Sequence, residues 1–206
     1  MNPIMRHDSD HYFAAAPQSP SQPFEVVARI RDVELRLVSD RGVFSKGRPD
    51  PGTLLLAKRA ELPDTGRVLD LGCGYGLLGL YAALQHPGLH VTFVDLNPRA
   101  VELARQNCER YRLTQVELLC GDAPQVLGDR RFDAILCNPP YRAGKATVLA
   151  LLENAAQRLN AGGTLWIVGR TRQGVKTLAR DISPWFATVE TVDISGGYRV
   201  LRCTVS

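Results

Sequence analysis

Two groups of residues in this chain have the types and spacing to do chemistry. The first is Asp70-Leu71-Gly72-Cys73-Gly74-Tyr75-Gly76, an acid followed by three alternate glycines. Such glycines let a turn adopt left-handed dihedrals and bring its backbone close to a ligand at a helix N-terminus. A dinucleotide fingerprint would put its third glycine at position 77, which is leucine, so that reading fails. Asp70, two residues before the first glycine, is placed instead to bind an ammonium group, directly or through water. Asp95 closes the next apolar run and can accept both hydroxyls of a ribose, while Leu96 can pack on a purine face. Asp122, in Gly121-Asp122-Ala123 just past a third run, is placed to accept an exocyclic amino group. Gly72, Cys73, Gly74, Gly76 and Ala123 complete a site for an adenosine that carries an amino-acid chain.

The second group is Asn138-Pro139-Pro140-Tyr141 at the end of a fourth apolar run, 132–137. Two consecutive prolines fix an extended backbone and remove the N–H donors at 139 and 140. What is left is rich in acceptors, namely the Asn138 side-chain oxygen and the Pro139 carbonyl. An NH2 group needs two acceptors for its hydrogens if its lone pair is to point at an electrophile. The Tyr141 ring adds a surface on which a planar base can stack. Asn138, Pro139, Pro140 and Tyr141 are therefore the candidate catalytic residues, and Cys137 before them is assigned no role.

These residues need an alternation of strands and helices to hold them. Strands are expected at 68–71, 91–94, 116–119, 132–137, 164–168, 189–194 and 199–204, with helices at 77–85, 145–159 and 174–182. The helix from Pro98 is the clearest, with Asn97 as its cap, proline in its first position, and Val101, Ala104, Cys108 and Tyr111 along one face. Alternation of this kind predicts a mostly parallel sheet with helices on both faces, whose ligands bind beyond the carboxyl ends of the strands. Ser195-Gly196-Gly197 is hairpin chemistry, so the last strand should run antiparallel to its neighbour. Upstream, 25–30 and 34–38 read as a small hairpin, and Asp50-Pro51 should open a helix whose run Leu54-Leu55-Leu56-Ala57 faces the core. The expected organisation is one domain over 1–206: an irregular proline-rich segment at 1–23, a hairpin and loop at 24–49, and a catalytic core at 50–206.

With 206 residues, 45% hydrophobic and 22% charged, the composition is that of an ordinary globular domain. Arg6, His7, Asp8 and Asp10 stand where a signal peptide would be apolar, and no apolar run approaches a membrane span, so a cytoplasmic protein is expected. Cys73, Cys108, Cys120, Cys137 and Cys203 show no metal-ligand spacing and should be buried, reduced thiols, with no metal bound. The net charge of +4 permits a nucleic-acid partner without demonstrating one. Lys46, Arg48, Arg142, Lys145, Arg170 and Arg172 fall near the mouth of the expected site and are candidates for phosphate contacts.

An acid two residues before three alternate glycines is the arrangement of class I S-adenosylmethionine-dependent methyltransferases. Asp95, Asp122 and Asn138 to Tyr141 extend the match to their N-methyltransferases. Gly42-Val43-Phe44-Ser45, Asp50-Pro51-Gly52-Thr53, Arg142-Ala143-Gly144-Lys145 and Gly197-Tyr198-Arg199-Val200, after a Tyr12-Phe13 start, narrow it further. From about Tyr12 to Cys203 the chain resembles the small-subunit ribosomal RNA guanine-N2 methyltransferases and their short relatives. The resemblance implies a Rossmann-like α/β fold with a seven-stranded sheet, S-adenosyl-L-methionine as cofactor, and Phe44 and Thr53 near that cofactor. It implies methylation of the guanine 2-amino group in 16S-type rRNA or its assembling particle. Two-domain members carry an extra N-terminal domain where this chain has a hairpin. They also often have phenylalanine and histidine at the positions of Tyr141 and Arg142. Two other acceptors, an adenine N6 amine or a protein glutamine amide, would suit the same loop. So would a protein that binds cofactor and RNA without turnover, although the intact Asn138 argues against it.

Overall fold

The computed structural model describes residues 20–43 and 47–206. Tyr12, Phe13, Phe44, Ser45 and Lys46, each singled out above, lie outside the described residues.

A hairpin opens the described chain, β1 (Phe24–Ile30) and β2 (Val33–Ser39), paired antiparallel about Arg31-Asp32. Period-two alternation turns Val26, Ala28, Ile30, Leu35 and Leu37 inward. Helix α1 (Pro51–Arg59) follows, with Asp50 as its N-cap and Pro51 in the first turn. The alternating series is β3 (Thr65–Leu71), α2 (Leu77–Gln85), β4 (Gly88–Asp95), α3 (Pro98–Arg110), β5 (Val116–Cys120), α4 (Ala123–Val126), β6 (Phe132–Cys137), α5 (Lys145–Gln157), β7 (Leu159–Arg170), α6 (Val175–Ile182), β8 (Thr188–Ser195) and β9 (Tyr198–Thr204).

Seven strands form one sheet in the order β5-β4-β3-β6-β7-β9-β8. Pairings from β5 through β7 are parallel, and β9 inserts antiparallel between β7 and β8. This is the expected mostly parallel sheet with an antiparallel last strand. The strand order reverses at β3 and β6, so the carboxyl ends of these two neighbours open a crevice, the usual ligand site of such sheets.

Alternate strand residues feed two cores. Val68, Phe93, Leu136, Trp166 and Val168 face α1, α2, α3 and the hairpin, whereas Leu69, Val94, Ile135, Leu165 and Ile167 face α4, α5 and α6. The hairpin is bound to α3 by polar contacts as well. Asn107 accepts from Val38 N–H (2.7 Å) and donates to the Val38 carbonyl (2.9 Å), completing the backbone bonds of a strand that, among the described residues, has no further strand beside it.

Three expectations need correction. Helix α5 stops at Gln157 and β7 begins at Leu159, earlier than expected, because Asn160 reaches Asp133 (2.7 Å) where the β6–β7 register shifts. A short helix, α4, follows Asp122 where the sequence pattern suggests only a loop. Cys120 is exposed at the end of an edge strand, although the other four cysteines are buried. Among the described residues no helix is long and apolar enough to cross a membrane, and no cluster of His, Cys, Asp or Glu is placed to hold a metal ion.

Candidate active site

The glycine loop leaves β3 through a bond from Gly72 N–H to the Val94 carbonyl (2.8 Å), and Cys73 N–H shares that acceptor (3.0 Å). Gly72 (φ 71°) and Gly74 (φ 55°) are left-handed, and a Cβ on either would meet nothing within 4 Å. The loop is therefore held from behind and open in front, as a backbone cradle for a ligand must be. Gly76 caps the start of α2, packed closely on Ala104.

Asp70 lies beneath this loop. The strand's period of two turns it toward α2, where it is 1% exposed and accepts the Gly79 N–H at 2.8 Å. Burial pushes its carboxyl up to about 7 and the nearby Asp95 charge pushes the same way, against the Gly79 hydrogen bond. Asp95, at the end of β4, accepts from Gly74 N–H and Asn97 N–H, each at 2.9 Å. Its carboxyl is also raised by burial, opposed by those backbone bonds. Neither acid has a cationic partner among the described residues. One buried and one half-buried carboxylate without a counter-ion make a floor that a cationic ligand would neutralise, so the residues fit a group bearing an ammonium and a sulfonium. Leu96 beside them is 48% exposed. Asp122 is exposed at the head of α4 with no capping bond from its side chain, and Ala123 behind it is buried.

Asn138 leaves β6 next to Gly72, because Leu71 pairs with Cys137. Its amide nitrogen donates to Thr53 Oγ1 (2.9 Å) and to Asp50 Oδ1 (3.2 Å). The Asn138 oxygen takes none of these bonds and is open to an incoming donor. Pro139 is buried, and its carbonyl accepts Tyr141 N–H (2.9 Å), which leaves that oxygen a second lone pair. Tyr141 starts a 3-10 turn, Tyr141–Ala143, capped by Pro140. Its hydroxyl donates to the Val168 carbonyl (3.0 Å) at the end of β7 and its ring is half-buried beside Gly169. The ring is thus fixed in place, and burial raises its hydroxyl pKa.

One wall of this crevice is not visible in the sequence pattern. Asp50, expected as a helix cap within the Asp50-Pro51-Gly52-Thr53 motif but given no role at the site, joins Thr53, Asn138 and Tyr198. Tyr198 lies against Gly52, where a Cβ would come within 2.6 Å of its ring, and Arg170 stacks on the Tyr198 ring at 4.8 Å. The signals the sequence offers for this wall are the Asp50-Pro51-Gly52-Thr53 and Gly197-Tyr198-Arg199-Val200 motifs, neither of which tells that the two meet at Asn138. Gly79 is equally unmarked; it combines the bond to Asp70 with a backbone packed on the Phe93 ring.

The candidate phosphate contacts divide. Arg48, Arg142 and Arg172 are exposed and have no anionic partner among the described residues. Lys145 is paired with Asp181 at 2.6 Å. A concavity of about 460 Å³ lined by Arg67, His90, Thr92, Gln115 and Glu117 lies at the amino ends of β3, β4 and β5, away from all of these groups.

Residues 34–202 match the methyltransferase small domain family. The chain is 37% identical over 196 residues to YbxB of Bacillus subtilis, covering 94% of this chain and 98% of that protein. It is 35% identical over 154 residues to ribosomal RNA small subunit methyltransferase C of Pseudoalteromonas translucida, covering 73% of this chain and 44% of the relative. Ribosomal RNA large subunit methyltransferase G of Streptomyces griseus is 36% identical over 180 residues, covering 82% and 45%. The chain thus spans about half the length of the relatives named for ribosomal RNA. Among solved structures, the Thermus thermophilus 16S rRNA N2 G1207 methyltransferase, in complex with AdoMet and guanosine, superimposes with a TM-score of 0.78 at 31% identity, over 92% of this chain and 52% of that one.

Proposed function

The chain belongs to the methyltransferase small domain family, and from that premise we propose that it methylates an exocyclic amine of a ribosomal RNA base, guanine N2 of the small subunit. It is an S-adenosylmethionine-dependent methyltransferase. The bound cofactor supplies an electrophilic methyl group on a cationic sulfur. The chain's own residues bind and orient. Asp70 and Asp95 provide negative charge under the glycine cradle, Leu96 offers an apolar surface for adenine, and Asp122 accepts from its amino group.

The observation that carries the choice of acceptor is the polarity of Asn138. With its amide nitrogen engaged by Asp50 and Thr53, its oxygen is left as the group that faces an acceptor. An oxygen and the Pro139 carbonyl suit the two hydrogens of an NH2 group. They also stabilise the positive charge that grows on the nitrogen during transfer. No covalent nucleophile of the enzyme is needed: the amine would take the methyl carbon as its bond to sulfur breaks and would then release one proton to solvent. Exposed Arg48, Arg142 and Arg172 give the surroundings the charge an RNA backbone requires. The Thermus thermophilus structure, by its own description, is of an N2 methyltransferase for 16S rRNA, which favours guanine and the small subunit over the large-subunit alternative.

The test is single-turnover methylation with labelled cofactor. Asn138→Ala should retain cofactor affinity and lose turnover by about 100- to 1000-fold, the effect of deleting one preorganised hydrogen-bonding group. Asn138→Asp should be equally poor, because it would set a carboxylate against Asp50 at the present 3.2 Å contact. Transfer by Asn138→Ala at the parent rate would place the chemistry elsewhere.

A further inference from the structure

We propose that Asp50 is a positioning residue whose carboxylate decides which end of the Asn138 amide faces the acceptor base. This rests on the amine-acceptor reading above. The nitrogen and oxygen of an asparagine amide are nearly isosteric, so a half-turn about its last bond exchanges a donor for an acceptor with little change in shape. Only partners of fixed polarity can prevent that exchange.

Thr53 alone does not have fixed polarity, since its hydroxyl both donates and accepts. Asp50 does. Its Oδ1 can only accept, and it gathers three donors: Thr53 N–H at 2.9 Å, Thr53 Oγ1–H at 3.3 Å and Asn138 Nδ2–H at 3.2 Å. With the Thr53 proton directed to Asp50, the Thr53 oxygen is left to accept the other Asn138 bond at 2.9 Å. The two contacts therefore agree, and both require nitrogen toward α1 and oxygen toward the crevice. A flipped amide would present its NH2 to the incoming NH2, donor against donor.

The carboxylate is itself held from two sides. It caps α1, whose first residue is Pro51, and its Oδ2 accepts from the Tyr198 hydroxyl at 3.4 Å. Tyr198 sits against Gly52, and any side chain there would displace it. Residues from the start of α1 and the end of the sheet thus converge on one atom of the loop after β6.

The experiment compares Asp50→Ser with Asp50→Asn in the full chain. Both residues cap a helix about as well as aspartate. Only asparagine has the length to keep an acceptor oxygen against Asn138, and the Thr53 backbone N–H, which can only donate, holds that oxygen rather than the nitrogen in place. Single-turnover methylation of total ribosomal RNA from cells lacking the protein should fall tenfold or more in Asp50→Ser, with KM and cofactor affinity within twofold. Asp50→Asn should keep most of the turnover. An independent readout is the NMR signal pair of the Asn138 side-chain amide, identified by its absence in Asn138→Ala. It should shift and exchange faster in Asp50→Ser and stay near the parent in Asp50→Asn. Equal behaviour of the two Asp50 variants, both active or both inactive, overturns the inference. If Asn138→Ala is inactive while both Asp50 variants match the parent, this inference alone fails. If Asn138→Ala is fully active, the amine-acceptor reading fails first.

Discussion

Asp70→Asn should make the cofactor-free protein more stable at neutral pH and remove a stability loss that the parent shows as pH rises. An unfolded aspartate ionises near 3.8, whereas the buried Asp70 carboxyl is raised to about 7. A group raised in the folded state contributes its stability at low pH and loses it as pH climbs toward the folded pKa. Between those two values the unfolded chain has released a proton that the folded chain still holds, so each pH unit costs about 1.4 kcal/mol. Over pH 5 to 8 the loss is on the order of 2–3 kcal/mol, most of it below pH 7, and for a domain of this size that is a shift of roughly 5–10 °C in Tm. Asparagine keeps an acceptor for Gly79 N–H and carries no charge, so its stability should lack this component. Denaturant unfolding of both proteins across that range, taken as a difference, isolates Asp70 from the other acids. A cationic ligand over the loop should flatten the parent curve by binding the ionised form. Parallel curves for parent and variant would refute the reasoning, since they would mean the carboxyl is not destabilised by its site.

Other outcomes follow from the same geometry. Asp95→Ala removes a charged acceptor from the proposed ribose position and from Gly74 and Asn97, and at about 1.5–3 kcal/mol for such a bond the cofactor affinity measured by calorimetry should fall at least tenfold. Gly79→Ala would set a methyl 2.4 Å from the fully buried Phe93 ring, and overpacking of about 1–3 kcal/mol should outweigh the roughly 1 kcal/mol of helix propensity gained, giving a lower denaturation midpoint. Changing Arg142 and Arg172 together to Ala should weaken RNA binding and flatten its salt dependence by about 0.7–0.9 in log–log slope for each phosphate no longer neutralised, with cofactor affinity unchanged. Identical salt slopes in variant and parent would remove these arginines from the RNA interface.

The strands that carry the site are legible because burial on both faces makes them apolar runs, and each run closes at or beside a polar residue. Asp70, Asp95 and Asn138 close β3, β4 and β6, and the sheet order brings those ends together. What the sequence hides is mostly long-range. The contact between Asp50 and Asn138 spans 88 positions, and nothing in the local pattern of either residue announces it. The early start of β7 is masked by Asn160-Ala161-Gly162-Gly163, which reads as a turn until Asp133 is seen holding Asn160. Lys145 and Arg142 look equivalent along the chain, but α6 brings Asp181 to the lysine and leaves the arginine without an acidic partner among the described residues. Tyr141 reads as a ring free to stack, yet its hydroxyl is tied to β7 through a carbonyl that no sequence pattern marks.

The most direct test of the central claim is the nucleoside composition of small-subunit ribosomal RNA from cells lacking the protein, measured by mass spectrometry. One N2-methylguanosine should be missing, restored by the parent protein and not by Asn138→Ala. An unchanged N2-methylguanosine content, with loss of N6-methyladenosine in RNA or of methylglutamine in a protein, would contradict that claim.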